Sequence, residues 1–381
     1  MTKTFCQKGV KMKQLLLSVI MGLAMANLCV ADDVKWIDGK ELPIEGKGFA
    51  DEALEGHFDR LPKVGADVNA NVQNLRHHTA GMQFRFTTTS PFITIRWQPL
   101  YDDDVKSLPG CLYDALGMAH MPATAVSGVD VYVQGADGKW KYLKTGFIYV
   151  GKNNESTGTI AKLNIAPGTP ICINLPLCNG IKTFSLGVAP DATIAPLPPR
   201  KNGMVKPVVF YGTSITHGGC ASRPGMAFVN IVGRELDVPV VNLGFSGGGQ
   251  MEFELSDHLA AIDASCYVLD ALWNMGQDKV EQRYEPFIRN LRAKRPDVPI
   301  IMAEQCDVFC KGPNGKDQFM HKLYDKLIAE GWKNLVYLPK TKMYTGDREG
   351  TVDGTHPNDV GMQSLANAFG EAVRAALPQL Q

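Results

Sequence analysis

The sequence lacks an excess of either charge: 39 basic residues stand against 39 acidic ones in 381 positions, and no block of like charge appears. Without a basic stripe there is no electrostatic footprint for a phosphate backbone, which excludes nucleic acid as the natural partner. Histidine and cysteine are scarce, eight and nine, and no cluster of them has zinc-site spacing. A disulfide framework is missing too. Beyond Cys6 and Cys29 the chain holds Cys111, Cys172, Cys178, Cys220, Cys266, Cys306 and Cys310, an odd number, widely scattered. Cys306 with Cys310, or Cys172 with Cys178, are near enough in sequence to bridge, but the pattern fits small buried side chains better. No metal and no organic cofactor is implied.

Long uncharged apolar runs are absent except one, Leu15 to Val30. Lys8, Lys11 and Lys13 precede it, and Asp32 and Asp33 follow it. This is the layout of a secretory signal peptide over residues 1–31, with small residues at Ala24 and Ala26, or Cys29 and Ala31, for cleavage. The run is short for a membrane anchor and no basic stop signal follows, and Leu28 before Cys29 argues against lipoprotein processing. The expected location is therefore secreted or periplasmic, with no stable membrane insertion after cleavage. Removing four lysines and no acid from the total leaves 35 basic against 39 acidic residues, a net charge of −4.

The length suits two domains. Residues 32–198 read as β structure, with alternating runs at Gly81 to Phe86, Phe92 to Trp97, Val129 to Val133 and Thr183 to Val188, punctuated by Gly, Pro, Asn and Asp. Alternation puts successive side chains on opposite faces, as in a sandwich, and helical periodicity is absent. Ala195 to Gly203 carries three prolines and breaks the pattern, so residues 199–206 are taken as a linker. From 207 to 381 the texture changes. Apolar strands at Val208 to Tyr211, Val238 to Leu243, Tyr267 to Leu272, Ile300 to Ala303 and Leu335 to Leu338 alternate with amphipathic helices such as Lys279 to Arg295 and Gln318 to Ala329. These strands suit burial on both faces of a parallel sheet.

In such a sheet, ligands sit beyond the carboxyl ends of the strands. The first strand runs into Gly212-Thr213-Ser214, the second into Asn242 to Gly249, the third into Trp273-Asn274. About 140 residues after Ser214 comes Asp353-Gly354-Thr355-His356. A hydroxyl needs an imidazole to take its proton and a carboxylate to fix the imidazole tautomer, and one turn offers both. Thr216 stands where G-x-S-x-G needs its second glycine, so the α/β-hydrolase elbow is not supported. The glycines after the second strand can turn N–H groups toward a developing oxyanion.

With these blocks in place the chain resembles the SGNH (GDSL-type) hydrolase superfamily. Gly212-Thr213-Ser214 matches its G-D-S block with Thr for Asp, Gly247 its second glycine, Asn274 its third-block Asn, and Asp353 to His356 its D-x-x-H without change. The G-x-N-D block departs, with Leu272 for Gly and Met275 for Asp. Tyr211 to Gly225, and Gly128-Val-Asp130-Val-Tyr132, are similar to the branch carrying an N-terminal GxDLY-type β-sandwich. The resemblance implies a jelly-roll-like all-β domain followed by a flavodoxin-like α/β domain with a parallel sheet. It also implies Ser214 as nucleophile, His356 as base, Asp353 as its orienting acid, and an oxyanion hole from Ser214, Gly247 and Asn274. His217, Trp273 and His120 are candidate substrate contacts, the last on an irregular loop able to reach across the domain boundary.

The leading expectation is a secreted serine esterase that deacylates, and in particular deacetylates, a carbohydrate. Alternatives are a lipid or phospholipid-type acetylhydrolase, an acyltransferase, and a catalytically silent glycan-binding protein, the last motivated by the altered third block. All take a small-molecule or glycan ester.

Overall fold

The computed structural model describes residues 34–101, 120–150, 156–309, 311–344 and 346–380. The expected signal peptide, Cys111 and Cys310 lie outside the described residues.

The first half folds from eleven strands: β1 Lys35–Asp38, β2 Ile44–Glu45, β3 Gln83–Thr88, β4 Phe92–Pro99, β5 Val129–Gln134, β6 Trp140–Gly146, β7 Ile148–Val150, β8 Ser156–Asn164, β9 Ile171–Asn174, β10 Ile181–Val188 and β11 Ile194–Pro196. They form two antiparallel sheets, ordered β1-β10-β4-β8-β7 and β11-β3-β9-β5-β6, with β2 added on β3. Phe84, Phe86, Ile93, Ile95, Trp97, Val131, Ile173 and Phe184 fill the space between them. The Trp97 indole donates to the Ser127 carbonyl at 2.9 Å and lies flat on β8. A Cβ on Gly158 would sit 2.2 Å from that ring, so only glycine fits there.

This half is not free of helix. Short helices α1, Ala70–Leu75, and α2, Ala123–Val126, interrupt it. Each is too short to show a 3.6-residue repeat, which is why the pattern hid them.

The second half has strands β12 Val208–Gly212, β13 Val240–Gly244, β14 Cys266–Asp270, β15 Ile300–Ala303 and β16 Leu335–Leu338. All pair in parallel in the order β13-β12-β14-β15-β16, the flavodoxin-like order. Helices α3 Ser214–His217, α4 Phe228–Leu236, α5 Phe253–Ala261, α6 Gln277–Lys294, α7 Gly315–Ala329 and α8 Asp359–Ala376 accompany them. Strands β12, β13 and β14 are buried at every residue. Helix α6 seats Val280, Tyr284, Phe287, Ile288 and Leu291 against the sheet. The chain leaves β12 toward β13 on one side and returns to β14 on the other. Gly212 is thus in register with both Gly244 and Asp270, so three strand ends meet at one crevice.

The two halves interlock. Between β2 and β3, Leu61, Val64, Val68 and Val72 leave the sandwich and enter the core of the α/β half with Tyr211, Leu243 and Leu255. Arg60 goes further. Its guanidinium is fully buried with no carboxylate beside it among the described residues, and donates to the carbonyls of Leu75 (2.7 Å), His78 (2.9 Å), Asn242 (3.0 Å) and Gly244 (2.9 Å). A second bridge comes from the Gly128 to Tyr132 stretch. Asp130 accepts from Arg223 Nη1 at 2.9 Å, from the Gly225 N–H at 2.8 Å and from the Asn174 amide at 2.7 Å. A Cβ on Gly225 would come 2.5 Å from the Tyr132 ring.

Five cysteines in the described residues, Cys172, Cys178, Cys220, Cys266 and Cys306, are free. The Cys172–Cys178 bridge is therefore not formed. Cys172 sits on β9 against the Gln83 side chain, whereas Cys178 packs beside Met121.

Candidate active site

Ser214 opens α3 directly after β12. The backbone turns there because Gly212 has no side chain: a Cβ would lie 2.0 Å from Thr216 Oγ1 and 2.5 Å from the Asp270 carbonyl. Ser214 Oγ lies 2.9 Å from His356 Nε2, and His356 Nδ1 lies 2.7 Å from Asp353 Oδ2. Nδ1 therefore carries the proton toward the carboxylate, leaving Nε2 to accept from the hydroxyl. The turn that presents this pair is tied at several points. Gly354 adopts φ +84°, Thr351 pairs with Pro357, and Asn358 caps α8 through the N–H groups of Val360 and Gly361. Burial works to raise the Asp353 carboxyl, but hydrogen bonds from the His356 N–H, the His356 ring and the Thr355 N–H bring it down to about 2.

Ser214, His356, Gly247 and Asn274 line one cleft of about 360 Å³ with Leu75, His78, His120, Met121, Cys178, His217, Gly219 and Ser246. Gly247 takes φ +65°, and a Cβ there would meet the Asn71 amide at 2.5 Å. The N–H groups of Ser214 and Gly247 donate to no protein acceptor among the described residues, which leaves both open to a ligand oxygen. The Asn274 amide reaches the cleft while donating to the carbonyls of Phe245 and Gly248, so it also holds the β13 loop closed. The altered third block has not displaced it.

The other candidates divide. His120 reaches the cleft from the sandwich half, its ring centroid 5.5 Å from that of His356. His217 forms part of the cleft floor, fully buried, with Nδ1 3.1 Å from Ser246 Oγ. Burial, Arg60 and His78 depress its pKa well below the ordinary histidine value, so it is neutral. Trp273, expected beside the acyl pocket, does not line the cleft. Its indole N–H needs an acceptor and finds the Cys306 carbonyl at 3.0 Å, which turns the ring into the α/β core, away from its neighbour Asn274.

Sequence reading missed His78 and Arg60. His78 packs 5.4 Å from the His217 ring, and burial with the nearby Arg60 charge lowers its pKa to about 3. Both residues lie in the sandwich-half sequence, and tertiary structure brings His78 to the cleft lining and Arg60 behind it, with Nη2 3.5 Å from His217 Nε2. One signal existed: apolar Leu61, Val64, Val68 and Val72 follow Arg60 at three- and four-residue steps.

Comparison with known proteins follows the two halves. Residues 205–374 match the model of the GDSL-like lipase/acylhydrolase family, and residues 34–194 match the GxDLY model, the N-terminus of SGNH-hydrolase-type esterases. A GDSL-like lipase-type protein from Bacteroides ovatus superposes with TM-score 0.77 at 28% identity, covering 91% of this chain and 98% of that one. The salicylyl-acyltransferase SsfX3 from a tetracycline biosynthetic pathway follows at TM-score 0.68 and 17% identity, over 92% and 100%. A family two carbohydrate esterase from Clostridium thermocellum, in complex with cellohexaose, gives 0.56 and 13%, over 79% and 94%. The last two likenesses are of fold. No curated protein matches the chain.

Proposed function

From a chain that belongs to the SGNH (GDSL-type) superfamily of carboxylic ester hydrolases, in the branch with a GxDLY-type N-terminal domain, we propose a secreted serine esterase that removes a short acyl group from a carbohydrate. In this reading His356 Nε2 takes the proton of Ser214 as Oγ attacks the ester carbonyl. Asp353 holds the imidazole and balances the charge it gains. The negative charge on the carbonyl oxygen falls to the N–H groups of Ser214 and Gly247, and the Asn274 amide joins them by turning one N–H from the Phe245 carbonyl, the longer of its two hydrogen bonds. His356 then protonates the leaving alcohol, and water completes the cycle by the same route. The observation that carries the proposal is the unbroken hydrogen-bond chain Asp353–His356–Ser214.

A cleft of about 360 Å³ lined in part by Leu75 and Met121 suits a small acyl group. The imidazoles and hydroxyl around it, His78, His120, His217 and Ser246, suit an alcohol rich in hydroxyls. The carbohydrate esterase from C. thermocellum shares the fold, which makes this substrate class the first to try. Secretion rests on the lysines and apolar run of residues 1–31. The test is free acid released from a panel of acylated glycans and lipids by wild type beside Ser214→Ala. Loss of activity in the variant with acetylated glycans preferred supports the proposal. Activity retained in Ser214→Ala, or a preference for chains beyond about eight carbons, longer than a cleft of this size buries, rejects it.

A further inference from the structure

Although no metal-type spacing exists along the chain, the fold gathers three soft ligands beside the cleft, where His120 and His356 line it and Cys220 lies buried next to them. One ring nitrogen of His120, one of His356 and Cys220 Sγ all lie within 4.8 Å of one another. They come from the sandwich loop, the Asp353 to His356 turn and the segment after α3. His356 Nδ1 is engaged by Asp353, so Nε2 is the nitrogen with a lone pair to give. Sulfur dominates what lies beneath: Met121 and Cys220 belong to one small buried cluster with Cys178 packed against it, and Cys178 Sγ lies 3.9 Å from Met121 Sδ. Two imidazoles and a thiol in a sulfur-lined recess select a borderline-soft ion such as Zn²⁺ over Mg²⁺ or Ca²⁺, which require oxygen ligands.

We propose that His120, Cys220 and His356 form a regulatory site for Zn²⁺ or a similar soft divalent ion, and that occupation switches the cleft off. On binding, the Cys220 S–H proton passes to solvent and the thiolate coordinates, while both imidazoles donate neutral lone pairs. The ion takes the lone pair of His356 Nε2 that otherwise accepts the Ser214 proton, so Ser214 keeps its hydrogen and does not attack. Protons compete at all three ligands. The inhibitory half rests on the base role given to His356 above; the binding half does not.

The experiment separates them. Chelator-stripped protein is titrated with Co²⁺ in the absence of substrate, and Ser214 is then labelled with a fluorophosphonate at each occupancy. One equivalent of Co²⁺ with a thiolate-to-cobalt charge-transfer band is expected, displaced by Zn²⁺. The band should vanish in Cys220→Ser, and His120→Ala, a change at an exposed side chain, should weaken binding about tenfold or more. Labelling should fall with occupancy and return on chelation, with Mg²⁺ and Ca²⁺ inert. Absence of the band, or binding unchanged in both variants, overturns the site. Normal labelling at full occupancy overturns the switch. Neither result touches the esterase reading, which Ser214→Ala decides.

Discussion

Asp130 and Arg223 pair across the boundary between the two halves at 2.9 Å, the carboxylate fully buried and the guanidinium one-fifth exposed. Burial pushes the Asp130 carboxyl up from its ordinary value, and Arg223, the Asn174 amide and the Gly225 N–H act against that push. One carboxylate thus ties the sandwich to the loop after the Ser214 helix. The same loop is fixed again where Thr124 donates to the Ser222 carbonyl and Ser222 donates to Asp359 at the head of α8.

Removing one partner of such a pair leaves the other charge buried and unanswered. Asp130→Asn is expected to cost about 3 kcal/mol in denaturant unfolding. In the double variant with Arg223→Gln the loss should be smaller than the sum of the single losses, because each substitution removes the other's penalty. Additive losses would mean that the pair contributes no coupling.

Arg60 has a different logic, since among the described residues it neutralises no acid. It satisfies four backbone carbonyls that otherwise point into the junction, at about 1 kcal/mol or more for each left unpaired. Arg60→Met should therefore destabilise by about 3–5 kcal/mol. Arg60→Lys should recover only part, because an ammonium has three donors at one point where the guanidinium has five in a fixed fork. Equal stability of the two variants, measured by chemical denaturation, would remove the carbonyl argument.

Arg60 also marks the limit of what was legible in the chain. Strands β3, β4, β5 and β10 of the sandwich and all five parallel strands are written as local patterns of period two or as apolar runs. Ser214, Gly247, Asn274 and the Asp353–His356 turn stood out because each follows a strand or turn that such patterns locate. What a local pattern cannot carry is the crossing of Arg60 into the other half's core and of His78 into the cleft; His120 was legible because Met, Pro and Gly around it mark an irregular loop. That depends on packing between residues more than a hundred positions apart, such as Arg60 and Gly244. Trp273 failed for a related reason: which side of a turn a side chain takes is decided by an acceptor, here Cys306, that the sequence does not place.

Asp270 gives a stability prediction with a definite sign. It is buried at the end of β14, accepts from Thr216 Oγ1 at 2.7 Å, and burial raises its pKa to about 7. Its ordinary value is 3.8, so between these two values the folded chain holds a proton that the unfolded chain has lost. Stability from this group is full below pH 3.8 and declines as pH rises toward 7, by at most about 1.4 kcal/mol per pH unit. Asp270→Asn, which still accepts from Thr216, removes that decline. Relative to wild type the variant should gain between pH 5 and pH 8; a gap that stays constant over this range would refute the assignment.

Asp353 titrates in the opposite sense. Its carboxyl is held at about 2 against an ordinary 3.8, so the interactions that lower it are complete above 3.8 and are lost only as pH falls toward 2. The acid limb of kcat/KM should then carry no second proton from Asp353, because its carboxylate stays ionised until the pH falls toward 2. Asp353→Asn should lower kcat by roughly 10³-fold or more, since the amide can present N–H to Nδ1 and favour the wrong tautomer. KM should change little, because Asp353 does not line the cleft. A wild-type limb of slope two would show a second proton entering with the first. It would place the Asp353 carboxyl well above the value to which its three hydrogen bonds hold it.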